Sequence, residues 1–181
     1  VKSGADLIVF PELSLIGYPP QDLLCSDQFL NEAKKALDDV VSNIHVPTII
    51  GSIYKEGSDL FNSCYLIEKQ FIKSIYKKIL LPTYDIFDED RYFTPGSDSI
   101  VESIQVGNDL IAIGFQICED LWDGNYGKDL TGRLIKNGAE LIVNISASPY
   151  RVKRSKDRYD LIKKKINKYH IPYLYCNLVG A

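Results

Sequence analysis

The chain of 181 residues contains no methionine, only two histidines, and four cysteines without a regular spacing. None of the cysteines belongs to a CxxC pair, and neither histidine lies close to a cysteine in sequence, so no metal site is predicted. The irregular spacing also gives no disulfide framework, which favours reduced thiols and a cytoplasmic location. The cysteines are Cys25, Cys64, Cys118 and Cys176.

The sequence also lacks a long apolar run and a strong positive charge. No stretch approaches the roughly 20 apolar residues of a membrane-spanning helix, and no signal segment opens the chain. The formal net charge of -3 provides no overall positive field for nucleic acid or an anionic membrane, so we expect neither as a partner. Because even position 1 is not methionine, we expect 1–181 to be one domain excerpted from a longer chain.

An apolar content of 45% is enough for one sizeable core. Apolar runs and alternation predict strands over 6–10, 48–54, 61–67, 71–76, 101–106, 110–117, 141–145 and 173–178. Apolar residues recurring every three or four positions predict helices over 29–44, 130–137 and 155–169. A long ordered loop is predicted over 81–99. Helices interleaved with strands and hairpins indicate an α/β fold in which helices cover mixed sheets.

The last predicted helix contains three consecutive lysines, 163–165. We expect all three to belong to a solvated face, with Leu161, Ile162 and Ile166 toward the core.

The segment 113–122 has the sequence most suggestive of chemistry. An apolar run leads into Cys118, and two carboxylates and the only tryptophan of the chain follow. A strand that ends in a bend at Cys118 would present the sulfur to a substrate, although an inert cysteine in a buried strand would fit the same pattern. A thiol is a weak nucleophile until a base or a cation promotes its ionisation.

Two other residues could activate that thiol. Glu12 follows a predicted strand and Pro11, at a sheet edge where active sites form, although a solvated turn would also suit it. Lys78 is adjacent to Lys77, and strand alternation places the two on opposite faces, so one of them faces inward. No histidine lies near these segments, which leaves a carboxylate, an ammonium group and a thiol as the candidate triad. Glu89 has a simpler alternative as a surface ion pair.

Three segments together resemble a known family. Phe-Pro-Glu-Leu-Ser-Leu-Ile-Gly-Tyr at 10–18, Tyr-Lys-Lys-Ile-Leu-Leu-Pro at 76–82 and Ile-Cys-Glu-Asp-Leu-Trp at 117–122 resemble, in the same order, the glutamate, lysine and cysteine motifs of the nitrilase (carbon–nitrogen hydrolase) superfamily. Within it, 81–96 and 118–122 are similar to the glutaminase domains of glutamine-dependent NAD synthetases. Thr83 departs from the asparagine common there.

The resemblance implies a nitrilase-type α-β-β-α sandwich with mixed sheets, incomplete at both ends. It implies Cys118 as the nucleophile, Glu12 as the general base, and Lys78 with the backbone N–H of Glu119 as the oxyanion stabiliser. Glu89 would position the lysine and the substrate. The positions that match glutamine-binding residues are Tyr18, Glu119, Ser148 and Arg154.

The resemblance also implies partners. Glutamine would be the substrate, and its ammonia would pass to a C-terminal synthetase domain that uses ATP and Mg to make NAD from nicotinic acid adenine dinucleotide. This domain itself would need no cofactor, and a homo-oligomer is expected. Two alternatives stay open at this point: a stand-alone carbon–nitrogen hydrolase acting on another small amide or nitrile, and an inactive structured fragment.

Overall fold

Two four-stranded mixed sheets form the centre of the protein. The computed structural model describes residues 4–85 and 87–179. The strands are β1 (Ile8–Val9), β2 (Thr48–Glu56), β3 (Asp59–Glu68), β4 (Phe71–Lys77), β5 (Val101–Val106), β6 (Asp109–Ile117), β7 (Leu141–Ser146) and β8 (Tyr173–Asn177). The α-helices are α1 (Asp27–Asn43), α2 (Leu130–Lys136) and α3 (Arg154–Tyr169), and 3-10 helices cover Gln21–Cys25, Glu89–Arg91 and Cys118–Tyr126.

The strand order brings several strand ends to one edge. The first sheet has the order β1-β2-β3-β4, in which only the β1–β2 pair is parallel. The second has the order β5-β6-β7-β8, in which β6, β7 and β8 are parallel. The carboxyl ends of β6, β7 and β8 therefore lie side by side, and crevices at such ends are where α/β proteins bind ligands.

The two sheets pack face to face around the main apolar core. First-sheet residues Ile49, Leu66 and Tyr76 meet second-sheet residues Ile113, Phe115 and Val143 there. On the outer face of the first sheet, Leu37 of α1 packs against Ile50, Tyr65 and Ile67. On the outer face of the second, Leu134 of α2 packs against Ile142 and Ile171. The layers are thus α-β-β-α, which confirms the predicted fold class.

The predicted elements are present, with differences at their ends. The α1 helix begins two residues earlier than predicted, and its N-cap is Ser26, whose Oγ accepts a hydrogen bond from the backbone N–H of Phe29 at 3.4 Å. The first strand has only two residues and pairs solely with β2 in the described sheet. Among the helices of 4–85 and 87–179, none has the length and apolarity needed to cross a membrane.

The lysine run departs from its prediction at one position. Lys163 and Lys164 are exposed, but Lys165 is buried and its Nζ lies 2.7 Å from Asp123 Oδ1 and 3.1 Å from Thr131 Oγ1. Position 165 is four residues after Leu161, so it shares the inward face of the helix. The expectation that all three lysines are solvated is therefore wrong for Lys165.

Candidate active site

Glu12, Lys78 and Glu89 form a buried cluster of charges. Lys78 Nζ lies 2.7 Å from Glu12 Oε1 and 2.8 Å from both carboxylate oxygens of Glu89. The side chains of Lys78 and Glu12 are 0% exposed, and that of Glu89 is 7% exposed. The alternative of a surface ion pair at Glu89 does not hold, because the 3-10 turn at Glu89–Arg91 directs this carboxylate to the buried lysine.

Neutral groups also donate hydrogen bonds to the carboxylates of Glu12 and Glu89. Asn62 on β3 donates to Glu12 Oε1 at 2.8 Å, and the backbone N–H of Ala147 donates to Glu12 Oε2 at 2.8 Å. The hydroxyl of Tyr18 donates to Glu89 Oε1 at 3.1 Å. Sequence reasoning missed Asn62, since an asparagine inside an apolar strand carries no signal of its partner.

Two glycines allow the backbone to bring these side chains together. A Cβ at Gly51 on β2 would lie 2.5 Å from the carbonyl oxygen of Pro11, so a side chain there would push away the segment of Glu12. A Cβ at Gly96 would lie 2.3 Å from the carbonyl oxygen of the residue before Lys78. The N–H of Gly96 donates to the carbonyl oxygen of Lys78 at 2.7 Å. Close backbone packing therefore fixes the segments that carry Glu12 and Lys78.

Cys118 follows β6 directly and has a backbone φ of 43°, in the left-handed region that non-glycine residues rarely adopt. Such conformations cost of order 1–3 kcal/mol and occur often at functional sites. Burial raises the pKa of the Cys118 thiol, and the negative charges of Glu12 and Glu89 raise it further. Lys78 and a hydrogen bond with Ser146 act in the opposite direction, but the pKa stays above its ordinary value.

The charge of the lysine is secured by its neighbours. Burial alone would lower the pKa of Lys78, but the carboxylates of Glu12 and Glu89 outweigh burial and hold that pKa well above its ordinary value. The pKa of Glu89 is raised by burial and by repulsion from Glu12, against the attraction of Lys78. Near neutral pH the site therefore holds a charged ammonium at Lys78 and a protonated thiol at Cys118.

A cavity of about 490 Å³ opens next to this cluster. Three predicted site residues line it, namely Tyr18, Glu89 and Ser148. Arg158, on α3, lines it as well, whereas Arg154 does not belong to the lining. The guanidinium carbon of Arg154 instead lies 4.4 Å from the ring centroid of Trp122.

Glu119 belongs to a second polar cluster, which it forms with two tyrosines. Its two carboxylate oxygens accept hydrogen bonds from the hydroxyls of Tyr84 at 2.9 Å and Tyr126 at 3.0 Å. Burial and the hydrogen bond to Glu119 raise the pKa of Tyr84 to about 12, so this donor stays protonated. The positive charge of Arg154 lowers the pKa of Tyr84, so Arg154 lies near the tyrosine that binds Glu119. Sequence reasoning did not identify either tyrosine as a partner of Glu119.

The structure thus joins Glu12, Lys78, Glu89 and Tyr18 in one network beside Cys118, and places Ser148 on the adjoining cavity wall. In the described part of the chain, no group of three or more histidine, cysteine, aspartate or glutamate side chains is arranged to hold a metal ion. The arrangement has the components for acyl transfer: a nucleophile, a carboxylate and a fixed positive charge.

Comparison with known proteins places this arrangement in a family. The sequence profile of the carbon-nitrogen hydrolase family matches residues 1–181. The glutamine-dependent NAD(+) synthetase of Thermotoga maritima is 40% identical over 181 residues, which are 98% of this chain and 30% of that protein. The synthetase of the same name from Aquifex aeolicus is 40% identical over 178 residues, 97% of this chain and 30% of that protein. The chain therefore spans about a third or less of the length of these relatives.

Solved structures agree in fold. The glutamine-dependent NAD+ synthetase of Acinetobacter baumannii superposes with a TM-score of 0.89 at 29% identity, over 99% of this chain and 33% of that chain. A Nesterenkonia amidase of the nitrilase superfamily has a TM-score of 0.80 at 18% identity, over 99% of this chain and 66% of that chain. At that identity the amidase shows a common fold alone.

Proposed function

The chain belongs to the carbon–nitrogen hydrolase family, and from that premise we propose that it releases ammonia from the side-chain amide of glutamine. The observation that carries the proposal is the buried Glu12–Lys78–Glu89 network beside Cys118, whose backbone is held at a φ of 43°. The choice of glutamine is supported by relatives at 40% identity whose names specify glutamine dependence.

In the first step Cys118 Sγ attacks the carboxamide carbon while Glu12 takes the thiol proton. Glu12 Oε1 already accepts hydrogen bonds from Lys78 and Asn62, whereas Oε2 accepts one from the backbone of Ala147. A carboxylate has about four lone-pair sites, so Oε2 keeps one for the proton. A nearby base is needed, because the raised pKa of Cys118 leaves little thiolate in the resting site.

As the sulfur attacks, negative charge develops on the amide oxygen. The ammonium of Lys78, kept charged by its two carboxylates, stabilises that oxygen together with the backbone N–H of Glu119. Glu12 returns the proton to the nitrogen, the C–N bond breaks, and ammonia leaves a thioester on Cys118. Water then attacks the thioester as Glu12 takes its proton, and the same proton returns to the sulfur when glutamate departs.

The substrate would occupy the cavity lined by Tyr18, Glu89 and Ser148. A guanidinium suits the α-carboxylate of glutamine, because it can form two parallel charged hydrogen bonds. Family resemblance assigns this role to Arg154, with Glu119 beside it, whereas Arg158 is the arginine that lines the cavity. The two assignments differ in which arginine, when substituted, should raise KM for glutamine.

In the complete protein, we propose, ammonia passes to a synthetase domain of the same chain, located in the cytoplasm in a homo-oligomer. That domain would use ATP and Mg to convert nicotinic acid adenine dinucleotide to NAD, while the glutaminase site works without a cofactor. The length of the relatives supports this, since the chain covers 30% of the first two.

The test is ammonia release from glutamine by the full-length protein and its Cys118→Ala variant. We expect the variant to lose activity and the Cys176→Ala control, which removes another partly buried thiol, to keep it. Parental activity in Cys118→Ala would refute the mechanism. Adding ATP, Mg and nicotinic acid adenine dinucleotide should yield NAD with glutamine as the nitrogen source; amide hydrolysis without NAD would identify a stand-alone hydrolase.

A further inference from the structure

Asp120 connects the two segments that carry Lys78 and Cys118. It is 0% exposed. Its Oδ1 accepts hydrogen bonds from the backbone N–H groups of Ile79 at 3.2 Å and Leu80 at 2.9 Å. Its Oδ2 accepts from the backbone N–H of Ile117 at 2.9 Å and from the hydroxyl of Tyr76 at 2.8 Å. One carboxylate thus satisfies four donors on two separate segments.

Three of those donors directly flank the residues that carry the reacting groups. Ile79 and Leu80 immediately follow Lys78, and Ile117 immediately precedes Cys118. We propose that Asp120 is a positioning residue that sets the separation of the Lys78 ammonium and the Cys118 sulfur during amide hydrolysis. The inference rests on the proposed function and extends it to a residue that touches neither the substrate nor the reacting atoms.

Only an ionised carboxylate suits this position. With four donors directed at it, the side chain must accept and not donate. An asparagine of the same shape would turn an NH₂ group toward two of the donors, and a protonated aspartate would turn an O–H toward one of them. Either change would place a donor against a donor and so weaken the link between the segments that carry Lys78 and Cys118. A misplacement of about 1 Å can lower a rate by about 100-fold.

The protonation state of Asp120 follows from its surroundings. Burial raises its pKa to about 6, while hydrogen bonds from Ile117, Tyr76 and Leu80 and the charge of Lys78 lower it. The other titratable groups facing it are Cys64 on β3 and Tyr173 on β8, whose own pKa values the Asp120 charge raises, so both stay neutral. Asp120 therefore takes up a proton as the pH falls through about 6.

The experiment measures kcat and KM for glutamine against pH in the full-length protein. We expect the wild-type kcat to fall on the acid side with a midpoint near 6, the value to which burial raises the Asp120 pKa. Asp120→Asn should lower kcat by about 10- to 100-fold, with a much smaller change in KM, because positioning and not substrate contact is lost.

Two further variants separate positioning from folding. Tyr76→Phe removes one donor that lowers the Asp120 pKa, so the acid limb should move to higher pH while the plateau is largely kept. Asp123→Asn is the matched control, because it is another buried aspartate of the same 3-10 helix whose amide partners, Leu130 and Thr131, belong to α2. It should lose stability without moving the acid limb.

The outcomes are distinct. Ammonia release that depends on Cys118, with an acid limb that Tyr76→Phe moves upward and Asp123→Asn does not, supports the inference. The same release with an unmoved limb in Tyr76→Phe overturns the role of Asp120 alone. Absence of Cys118-dependent release overturns the proposed function and this inference together.

Discussion

Breaking the buried ion pair of Lys165 and Asp123 by one substitution should strongly destabilise the fold. Their side chains are 9% and 6% exposed, and Nζ and Oδ1 are 2.7 Å apart. Lys165→Met keeps the length of the aliphatic chain but removes the charge, which leaves a buried carboxylate uncompensated. Removing one partner of such a pair costs about 3–5 kcal/mol. Asp123 Oδ2 keeps its bond to the N–H of Leu130 at 2.8 Å, so we expect the lower end, about 3 kcal/mol.

Urea unfolding followed by the fluorescence of Trp122, the single tryptophan of the 181 residues, measures this loss. With a slope of about 2 kcal/mol per molar urea, the midpoint should fall by roughly 1.5 M. Lys164→Met is the matched control, since it removes an exposed charge from the adjacent position and should change stability by less than about 0.5 kcal/mol. Equal midpoints for the two variants would refute the reasoning. Adding Asp123→Asn to Lys165→Met should recover part of the loss.

Three further predictions concern the site. Because the pKa of Cys118 is raised, iodoacetamide at pH 7 should modify exposed Cys25 first, as followed by mass spectrometry; faster labelling of Cys118 would contradict the proposed resting state. Arg158→Gln should raise KM for glutamine by about 10-fold or more while Arg154→Gln has little effect, and the reverse would favour the assignment by resemblance. Gly51→Ala should lower both the melting temperature and kcat, since its Cβ would meet backbone at 2.4 Å; unchanged values would refute the close-approach argument.

The secondary structure was largely predictable because its signals are local. The helical period over 29–44 and the apolar runs on either side of 68–70 and 107–109 contain the information for α1 and for the β3–β4 and β5–β6 hairpins, and the structure places those elements within a few residues. The order of strands in each sheet depends on contacts between distant segments, and no local pattern specifies it. Only resemblance to a family supplied the sandwich of two sheets.

The buried site was predictable only in part. Alternation along β4 required one of Lys77 and Lys78 to face inward, and Lys78 does. Nothing local distinguished Glu89 from its exposed neighbours in a strongly polar segment, because its burial depends on an ion pair with a residue 11 positions away. For Lys165 the information was present, since helical geometry places it on the face of Leu161. The expectation failed because Asp123 and Thr131 provide buried partners for the ammonium of Lys165, and the sequence around the lysine run does not reveal them.

The electrostatics of the site favour one order of events in the proposed reaction. Two carboxylates and one ammonium leave the buried cluster with an excess negative charge, and that excess, with burial, keeps the Cys118 thiol protonated. A preformed thiolate would gain from a net positive environment, which this site lacks among its described groups. Proton transfer to Glu12 must therefore accompany the attack on the amide, when the developing oxyanion provides Lys78 with a new negative partner. In the proposed reaction, therefore, the thiol would become reactive only when a substrate carbonyl is in place.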